Sequence, residues 1–238
     1  ALAHDGARVA ICARSKVPLQ AMTDRIAKQT GAETMAIPAD VSVAQDVTAL
    51  VDAVMARWGR LDILVANAGG PPPGHFLDLD AEDWEQAAQL TLMSAVHLCY
   101  AVVPLMRQQG GGSILAITSM SVKQPLDNLI LSNSLRLGVV GLIKSLSNEL
   151  GADGIRVNAI CPGWTRTGRV DQLLQARAAQ SGLTIEEEAA KITADIPLGR
   201  MAEPEAFARA AVFMASPAAS HITGVSLLVD GGQYKGVM

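Results

Sequence analysis

Short apolar runs rich in β-branched residues alternate along this chain with longer segments in which apolar residues recur every three to four positions. The runs that predict strands cover residues 8–13, 34–39, 62–66, 113–118, 156–161 and 225–229. The segments that predict helices cover residues 16–30, 44–58, 80–107, 128–150 and 204–215. Strands that alternate with helices favour right-handed crossovers and a parallel sheet with helices on both faces. The pattern predicts an α/β fold, a doubly wound parallel sheet in three αβα layers, as a single domain.

Composition narrows the class of protein. The chain has 238 residues, half of them hydrophobic, which is ample for one buried core, and its net charge is −4. Its basic residues are dispersed and no apolar run reaches the length of a membrane span, so we expect neither nucleic-acid nor membrane partners. The 3 cysteines and 4 histidines are scattered without metal-ligand spacing. We therefore expect a soluble cytoplasmic protein without a metal site.

The first residues, 1–14, predict the end of a helix, a turn and a strand. In doubly wound sheets that bind dinucleotides, such a helix follows a first strand and a Gly-rich phosphate-binding turn. That first strand normally lies mid-sheet, and its neighbours would expose unpaired backbone without it. We therefore expect a segment of roughly 20 residues, with one strand, a turn and part of a helix, to precede Ala1 in the native chain.

Several local patterns follow one another in a characteristic order. They are Asn67-Ala68-Gly69 after one predicted strand, Ser119 after the next, GIRVNAICPGWTRT over residues 154–167 and ITGVSLLVDGG over residues 222–232. Together they resemble the short-chain dehydrogenase/reductase family over essentially the whole chain, with most similarity to 3-oxoacyl-(acyl carrier protein) reductase-like members. The resemblance implies a Rossmann-like fold and an enzyme that transfers hydride between a nicotinamide cofactor and a small-molecule carbonyl or alcohol.

The resemblance also assigns cofactor contacts to residues that follow predicted strands, namely Asp40, Val41, Asn67, Ala68, Gly69, Pro162, Gly163 and Thr167. Asp40 would touch the adenine, Gly163 would shape the turn beside the nicotinamide, and Thr167 would lie near the carboxamide or the phosphates. A small residue at position 69 would let the backbone approach the dinucleotide. The alternative for Gly69 and Gly163 is a plain strand-to-loop turn, and the ordered set favours the cofactor interpretation.

The choice between NADP and NAD depends on the end of the strand predicted over residues 8–13. An acidic residue there binds the ribose 2′-hydroxyl of NAD, whereas a nearby Arg accommodates the 2′-phosphate of NADP. Here Arg14 and Ser15 follow the strand, and the first acidic residue after it is Asp24. We therefore expect NADP, with Arg14 and Ser15 contacting its phosphate. The alternative is that Arg14 lies in solvent at the sheet edge, which leaves NAD as the cofactor.

The catalytic pattern departs from that of the family. Family reductases use a Ser, a Tyr-x-x-x-Lys on the following helix and an Asn on the helix before, for general acid catalysis with electrostatic help. Ser119 matches the Ser, but Ser132 stands thirteen residues later where Tyr is expected, and Arg136 stands where Lys is expected. Thr91 takes the place of the Asn. The alignment is anchored on GVVGLIKSL over residues 138–146, which resembles the family helix without a gap.

These departures change the available chemistry. Residues 132 and 136 share a helix face. Arg136 supplies positive charge and hydrogen bonds to a ribose, but it stays protonated and does not readily pass a proton. An alcohol such as Ser132 is a weaker acid than a phenol and needs a neighbouring base to activate it. The pair is therefore either a modified catalytic pair or an ordinary polar stripe on a helix.

Lys123 is a candidate for compensating these losses. It lies four residues after Ser119, on the segment that by resemblance borders the substrate. We predict that Lys123, directly or through water, supplies the proton or stabilises charge, since a buried Lys can have a lowered pKa. The alternative is a solvated loop lysine. Arg166 and Arg169, which flank Thr167, are either ligands of an anionic substrate or cofactor phosphate, or solvated charges.

Two hypotheses about function follow. The first is an oxidoreductase that transfers hydride with atypical proton delivery, and the second is a catalytically impaired nucleotide-binding protein with a sensing or assembly role. Residues 164–200, which are predicted to lack a sheet strand, would cover the substrate. By resemblance, the helices over residues 80–107 and 128–150 would pair across subunits of a homotetramer or dimer, with residues 222–232 forming another contact.

Overall fold

The computed structural model describes residues 1–237 and shows strands and helices alternating along the chain. The strands are β1 (Val9–Ala13), β2 (Thr34–Pro38), β3 (Ile63–Ala66), β4 (Gly112–Ile117), β5 (Ile155–Pro162) and β6 (Ser226–Val229). The α-helices are α1 (Lys16–Thr30), α2 (Ala44–Trp58), α3 (Ala81–Ala88), α4 (Ser94–Gln109), α5 (Ile130–Leu150), α6 (Gly168–Ser181), α7 (Ile185–Ala194) and α8 (Pro204–Ala215). The alternation that the sequence predicts is therefore present.

Every strand pair is parallel, in a four-stranded sheet of order β3-β4-β5-β6 and a two-stranded sheet of β1 with β2. Successive residues of β4 pack on opposite faces of the sheet. Ile114 belongs to one apolar cluster with Val102 of α4 and Ile143 of α5, whereas Leu115 belongs to another with Met214 of α8. Because both faces of the central strands are buried, these strands are apolar at consecutive positions. The predicted three-layer α/β fold is confirmed.

The long helix predicted over residues 80–107 is present as Ala81–Gln109, but it contains a π-helical turn that the sequence does not predict. A π-helical turn, Gln89–Met93, separates α3 from α4. Such turns are rare and frequently lie at functional sites. Thr91 is buried within this turn, and the Ser94 hydroxyl donates a hydrogen bond to Leu90 O at 2.6 Å just after it. Buried positions recur at nearly helical spacing across the turn, which is why the sequence pattern does not reveal it.

The combined helix Ala81–Gln109 is long and apolar enough, by length and composition alone, to cross a membrane. One face of it, which includes Ala95, Leu98, Val102 and Met106, packs into the main apolar cluster of the domain. The same helix contacts α2, β3 and β4. It therefore has the buried stripe of a core helix, and this stripe accounts for much of its apolar character.

Several element ends differ from the sequence-based prediction for local reasons. β5 runs to Pro162 rather than ending at residue 161, because Pro162 pairs with β6. α5 begins at Ile130 rather than at residue 128, because Asn128 has a φ of 58°, in the left-handed region. Residues 1–6 form turns rather than the end of a regular helix. Strand ends depend on the partner strand, so a single sequence locates them only approximately.

The segment that follows β5 contains α6 and α7. Trp164 is only 8% exposed and packs with Val170, Leu174 and Ile192 in an apolar cluster separate from the main one. The Arg177 guanidinium lies 5.1 Å from the centre of the Trp164 ring, a cation–π contact. Trp164 therefore attaches both helices to the end of β5. That residues 164–200 cover a substrate stays a prediction.

Candidate active site

The carboxyl ends of the parallel strands carry the polar residues that the sequence analysis selects. Arg14 follows β1, Asp40 follows β2 and Asn67 follows β3. Ser119 follows β4, and Gly163 follows β5. In open α/β sheets, ligands bind in the crevice outside these strand ends. The fold therefore places the predicted residues at the carboxyl ends of the strands in both sheets.

Arg14 and Asp40 line a cleft of about 690 Å³ together with Ser42 and Pro71. The Asp40 carboxylate accepts hydrogen bonds from the Ser42 hydroxyl at 2.7 Å and from the Ser42 N–H at 3.0 Å. These bonds lower the pKa of the Asp40 carboxyl, and the Arg14 charge lowers it a little further. Pro71 belongs to the loop after β3, so this cleft joins the two sheets and presents an ionised Asp40 beside a cation.

Ser15 and Val41 are the chain neighbours of Arg14 and Asp40. Ser15 is the N-cap of α1, yet its hydroxyl makes no capping hydrogen bond. Lys16 follows it, and the first turn of α1 contains no acidic residue. Val41 is partly buried against the main apolar cluster. The tip of β1 therefore offers a hydroxyl and basic groups, whereas Val41 packs against the core between the cleft residues Asp40 and Ser42.

The loop after β3 begins with Asn67, Ala68 and Gly69. Asn67 and Gly69 are exposed. A Cβ at Gly69 would meet no atom within 4 Å, and the φ of this residue lies outside the left-handed region. Neither packing nor backbone conformation thus requires glycine here, whereas a ligand that approaches the backbone closely would. This observation favours the cofactor interpretation over a plain turn.

Arg136 reaches from α5 to the end of β4. Its Nη1 donates hydrogen bonds to Ile117 O at 3.2 Å and to Thr118 O at 3.0 Å, and these residues directly precede Ser119. Ser119 is half-buried, and its Oγ accepts a hydrogen bond from the Ser121 N–H at 3.1 Å. The structure therefore places Arg136 and Ser119 at the same strand end, and the serine hydroxyl keeps its proton for a ligand.

Ser132 lies one helical turn before Arg136 and is 9% exposed. Within residues 1–237 no hydrogen bond joins its hydroxyl to that of Ser119. Burial lowers the pKa of the Arg136 guanidinium, and repulsion from Arg169 lowers it further. A guanidinium nevertheless stays charged in proteins. The face shared by Ser132 and Arg136 thus brings a fixed positive charge, rather than an acid, to Ser119.

Lys123 directly follows the 3₁₀ turn Met120–Val122. Its backbone N–H donates to Met120 O at 2.9 Å, but its side chain is exposed. Of the two alternatives drawn from the sequence, the structure therefore agrees with the solvated loop lysine. None of the ion pairs within the described residues involves Lys123. An exposed ammonium can still act on a bound ligand through water.

Two residues near the site lie outside the predicted set of site residues: Cys161 was not considered there, and Thr91 was noted only as the residue in the place of the family Asn. Cys161 is fully buried, with its sulfur 3.1 Å from the Thr118 hydroxyl. Burial raises the pKa of the Cys161 thiol, and the Thr118 hydrogen bond and the Lys123 charge lower it by less. Its position immediately before Pro162, a predicted cofactor contact, is the sequence feature that could have indicated that Cys161 lies near the site. This thiol packs against the strand end that carries Ser119.

The second such residue is Thr91, whose Oγ1 is buried without a hydrogen-bond partner in the described part of the chain. It lines a cavity of about 20 Å³ together with Asn67 and Arg136. The cavity is lined mostly by apolar side chains, with polar groups from Asn67, Thr91, Ser94 and Arg136, and its volume is enough for one water molecule. The π-helical turn therefore directs Thr91 toward the side of the site where the family Asn is expected.

Two of the sequence patterns meet at the end of β5, where Gly163 of one packs against Asp230 of the other. A Cβ at Gly163 would lie 2.7 Å from both Cα and Cβ of Asp230, so only glycine fits between the end of β5 and the segment that contains Asp230. The Gly163 N–H donates to Val229 O at 3.0 Å, and Asp230 Oδ1 accepts from the Gly232 N–H at 2.9 Å. Thr167 is the exposed N-cap of α6, and its side chain makes no capping bond. Close packing against Asp230 thus accounts for a glycine at position 163 without a cofactor, as the plain-turn alternative for Gly163 proposes.

This fold, with its polar residues at the carboxyl ends of parallel strands, defines the class of dinucleotide-binding α/β oxidoreductases. A family model described as enoyl-(acyl carrier protein) reductase matches residues 1–233. The 7α-hydroxysteroid dehydrogenase of Escherichia coli K12 is 35% identical over 86% of this chain and 76% of its own length. The monensin polyketide synthase putative ketoacyl reductase of Streptomyces virginiae is 36% identical over 97% of this chain and 89% of its own.

The solved L-sorbose reductase from Gluconobacter frateurii, complexed with NADPH and L-sorbose, superposes with a TM-score of 0.93 at 30% identity, covering 99% of this chain and 90% of that chain. The chain belongs to the short-chain dehydrogenase/reductase family of oxidoreductases. The resemblance drawn from the sequence patterns is confirmed. The residue assignments within the site stay predictions.

Replacing Gly163 by Ala should destabilise the protein by about 1–3 kcal/mol, because the new methyl group would overlap the Asp230 backbone at 2.7 Å. Urea denaturation measures the change. Gly168→Ala is the matched control, since a Cβ at Gly168 meets nothing within 4 Å. Equal stability of the two variants would show that the turn after β5 relaxes freely.

Proposed function

We propose that this protein is an NADP(H)-dependent oxidoreductase that transfers hydride between the cofactor and a small-molecule carbonyl or alcohol. The observation that carries the proposal is that the Arg136 guanidinium is bound to the Ile117 and Thr118 carbonyls, at the strand end that Ser119 directly follows. Its relative L-sorbose reductase was solved with NADPH and a sugar substrate. In this chain, the same fold offers a crevice with hydrogen-bond donors and positive charge.

The residues along the crevice fit a nicotinamide dinucleotide. Arg14 and Ser15 would contact the 2′-phosphate, because both are exposed and the Ser15 hydroxyl has no capping role. Asp40 and Val41 would border the adenine, and Asn67 to Gly69 would lie against the dinucleotide backbone. Pro162, Gly163 and Thr167 would border the nicotinamide end. The bound cofactor supplies the hydride.

NADP is preferred over NAD in this proposal because of the charge at the end of β1. Arg14 and Lys16 flank Ser15, and α1 has no acidic residue in its first turn to bind a ribose 2′-hydroxyl. Asp40 is present in the same cleft, but its carboxylate already accepts two hydrogen bonds from Ser42. NAD is the alternative cofactor if Arg14 stays in solvent.

Each catalytic candidate has a limited chemical role. The Ser119 hydroxyl would donate a hydrogen bond to the substrate oxygen, since its own oxygen is held by the Ser121 N–H. Arg136 would stabilise negative charge and bind ribose hydroxyls without passing a proton. Ser132 is too weak an acid to replace a phenol by itself. Proton delivery would therefore come from solvent, with Lys123 placed to assist through water.

Exposed apolar side chains support a homotetramer or dimer as part of the same proposal. Tyr100 on α4 and Leu137 on α5 are 78% and 53% exposed, and Phe213 on α8 and Leu227 on β6 are 44% and 37% exposed. Large apolar groups on the two long helices and on the outer strand are typical of buried subunit contacts. We also propose a cytoplasmic location, since Cys12, Cys99 and Cys161 are all free.

Replacing both Tyr100 and Leu137 by Glu should shift the protein to a smaller assembly, because charged groups would then enter the helix pair contact. Analytical ultracentrifugation measures the species, and Leu77→Glu is the control, since Leu77 is 91% exposed on a loop turn outside these helices. A wild-type protein that sediments as a monomer would contradict the assembly proposal.

Ser119→Ala should lower NADPH oxidation by about 10²–10³-fold with NADPH affinity unchanged, because a donor to the reacting oxygen is lost. Ser134→Ala, at an exposed position of α5, is the control. Lys123→Met should lower turnover by less than Ser119→Ala does. Cofactor binding by the wild type without any NADPH consumption across a broad carbonyl panel would favour the impaired nucleotide-binding alternative.

Arg14→Ala should weaken NADPH binding by about tenfold and leave NADH binding unchanged, because only NADPH carries the 2′-phosphate that forms a charge-assisted hydrogen bond. Fluorescence titration gives both dissociation constants. Arg25→Ala is the matched control, since Arg25 is an exposed cation on α1 away from the cleft lining. A wild type that binds NADH more tightly than NADPH would refute the cofactor assignment.

A further inference from the structure

Two arginine side chains converge over the loop that follows β3. Arg136 comes from α5 and Arg169 from the first turn of α6. Arg169 Nε and Arg136 Nη2 would lie 3.6 Å and 3.9 Å from a Cβ placed on Gly70. The absence of a side chain at Gly70 therefore leaves one small volume that both guanidinium groups face.

The hydrogen bonds that the two arginines make leave some of their nitrogens near this volume without an acceptor. Arg136 uses Nη1 for the carbonyls at the end of β4, and Arg169 uses Nη2 for Pro71 O at 2.9 Å. Neither Arg136 Nη2 nor Arg169 Nε donates to any acceptor in residues 1–237. Both of these nitrogens carry N–H groups. Of the nitrogens within 4 Å of that Cβ position, Arg136 Nη2 and Arg169 Nε are therefore without a partner, whereas Arg169 Nη2, at 3.7 Å, is the one that donates to Pro71 O.

The charges of the pair are also uncompensated. The ion pairs within the described residues include neither Arg136 nor Arg169. By contrast, the neighbouring Arg166 lies 3.4 Å from Glu203 and is 63% exposed. Proximity of Arg169 lowers the pKa of Arg136, as like charges do at short range. The net charge of the chain is −4, so this positive site is local.

We propose that Arg136 and Arg169 together bind an anionic group, through phosphoryl or carboxylate oxygens, in the volume over Gly70. Two guanidinium groups with free N–H donors are suited to such planar or tetrahedral anions. The anion comes either from the diphosphate of the cofactor or from a carboxylate on the substrate. The inference deepens the proposed function, because the site lies between the cofactor-side loop and Ser119.

The test compares Arg169→Leu with Arg166→Leu in the purified protein. Arg166 is the matched control because it belongs to the same segment but is exposed to solvent and paired with Glu203. Calorimetry measures the binding of inorganic pyrophosphate to the protein and of levulinate to the NADPH-loaded protein, with 2-pentanone as the uncharged analogue. Fluorescence titration measures NADPH. We expect Arg169→Leu to weaken binding of at least one anionic probe about tenfold or more, with Arg166→Leu and 2-pentanone unaffected.

The two arms distinguish the source of the anion. Parallel losses of pyrophosphate and NADPH affinity in Arg169→Leu identify the cofactor diphosphate. Loss of levulinate binding with NADPH affinity retained identifies a substrate carboxylate. Gly70→Leu fills the volume and keeps both charges, so it should cause the same loss of anion binding. It takes the place of Arg169→Leu in the test if that variant does not fold.

Unchanged binding of both anionic probes in Arg169→Leu and Gly70→Leu overturns the inference, and normal NADPH binding would then leave the proposed function standing. A wild type that binds neither probe overturns it as well. Binding of pyrophosphate that depends on Arg169, in a protein that binds no NADPH, would support the anion site and contradict the proposed function.

Discussion

The parallel pairing of β4 with β5 is the interaction on which the site depends. Their register runs from Gly112 opposite Ile155 to Ile117 opposite Ile160, and the Thr118 N–H continues it with a bond to Ile160 O at 2.9 Å. The paired residues are almost fully buried on both faces, so the register is strongly determined by packing. Because parallel strands end at the same edge, this pairing brings the segments of Ser119 and Gly163 side by side.

The apolar sheet interior leaves the strand ends as the place where charge accumulates. Arg136 is held there by two backbone carbonyls rather than by a carboxylate, so its charge stays available to a ligand. Arg169, from the first turn of α6, adds a second such charge and is bonded to Pro71 O. A guanidinium can replace an ammonium as a fixed charge and hydrogen-bond donor, but not as a group that exchanges protons. The departure from the family pattern therefore affects proton delivery more than cofactor contact.

Prediction from the sequence succeeded where short-range chemistry decides the structure. The helices α1 and α2 were bounded correctly, and each ends at a glycine, Gly31 or Gly59, with a left-handed φ of 72° or 70°. The π-helical turn around Thr91 was missed because small and apolar residues recur through it at helical spacing. For Lys123 the sequence left a buried and a solvated position open, and the structure shows the exposed one, since loop orientation depends on packing between distant segments.

The sequence by itself determined the α/β class, the family and the set of polar residues at strand ends, because periodicity and ordered motifs are properties of neighbouring positions. Only the tertiary structure decided that Cys161 and Thr91 border the site and that Gly163 must be glycine beside Asp230. Only the tertiary structure distinguishes the two neighbouring arginines: Arg169 faces Gly70, whereas Arg166 is exposed to solvent and pairs with Glu203. These relations join residues far apart in the chain, and their distances are set by how the layers pack.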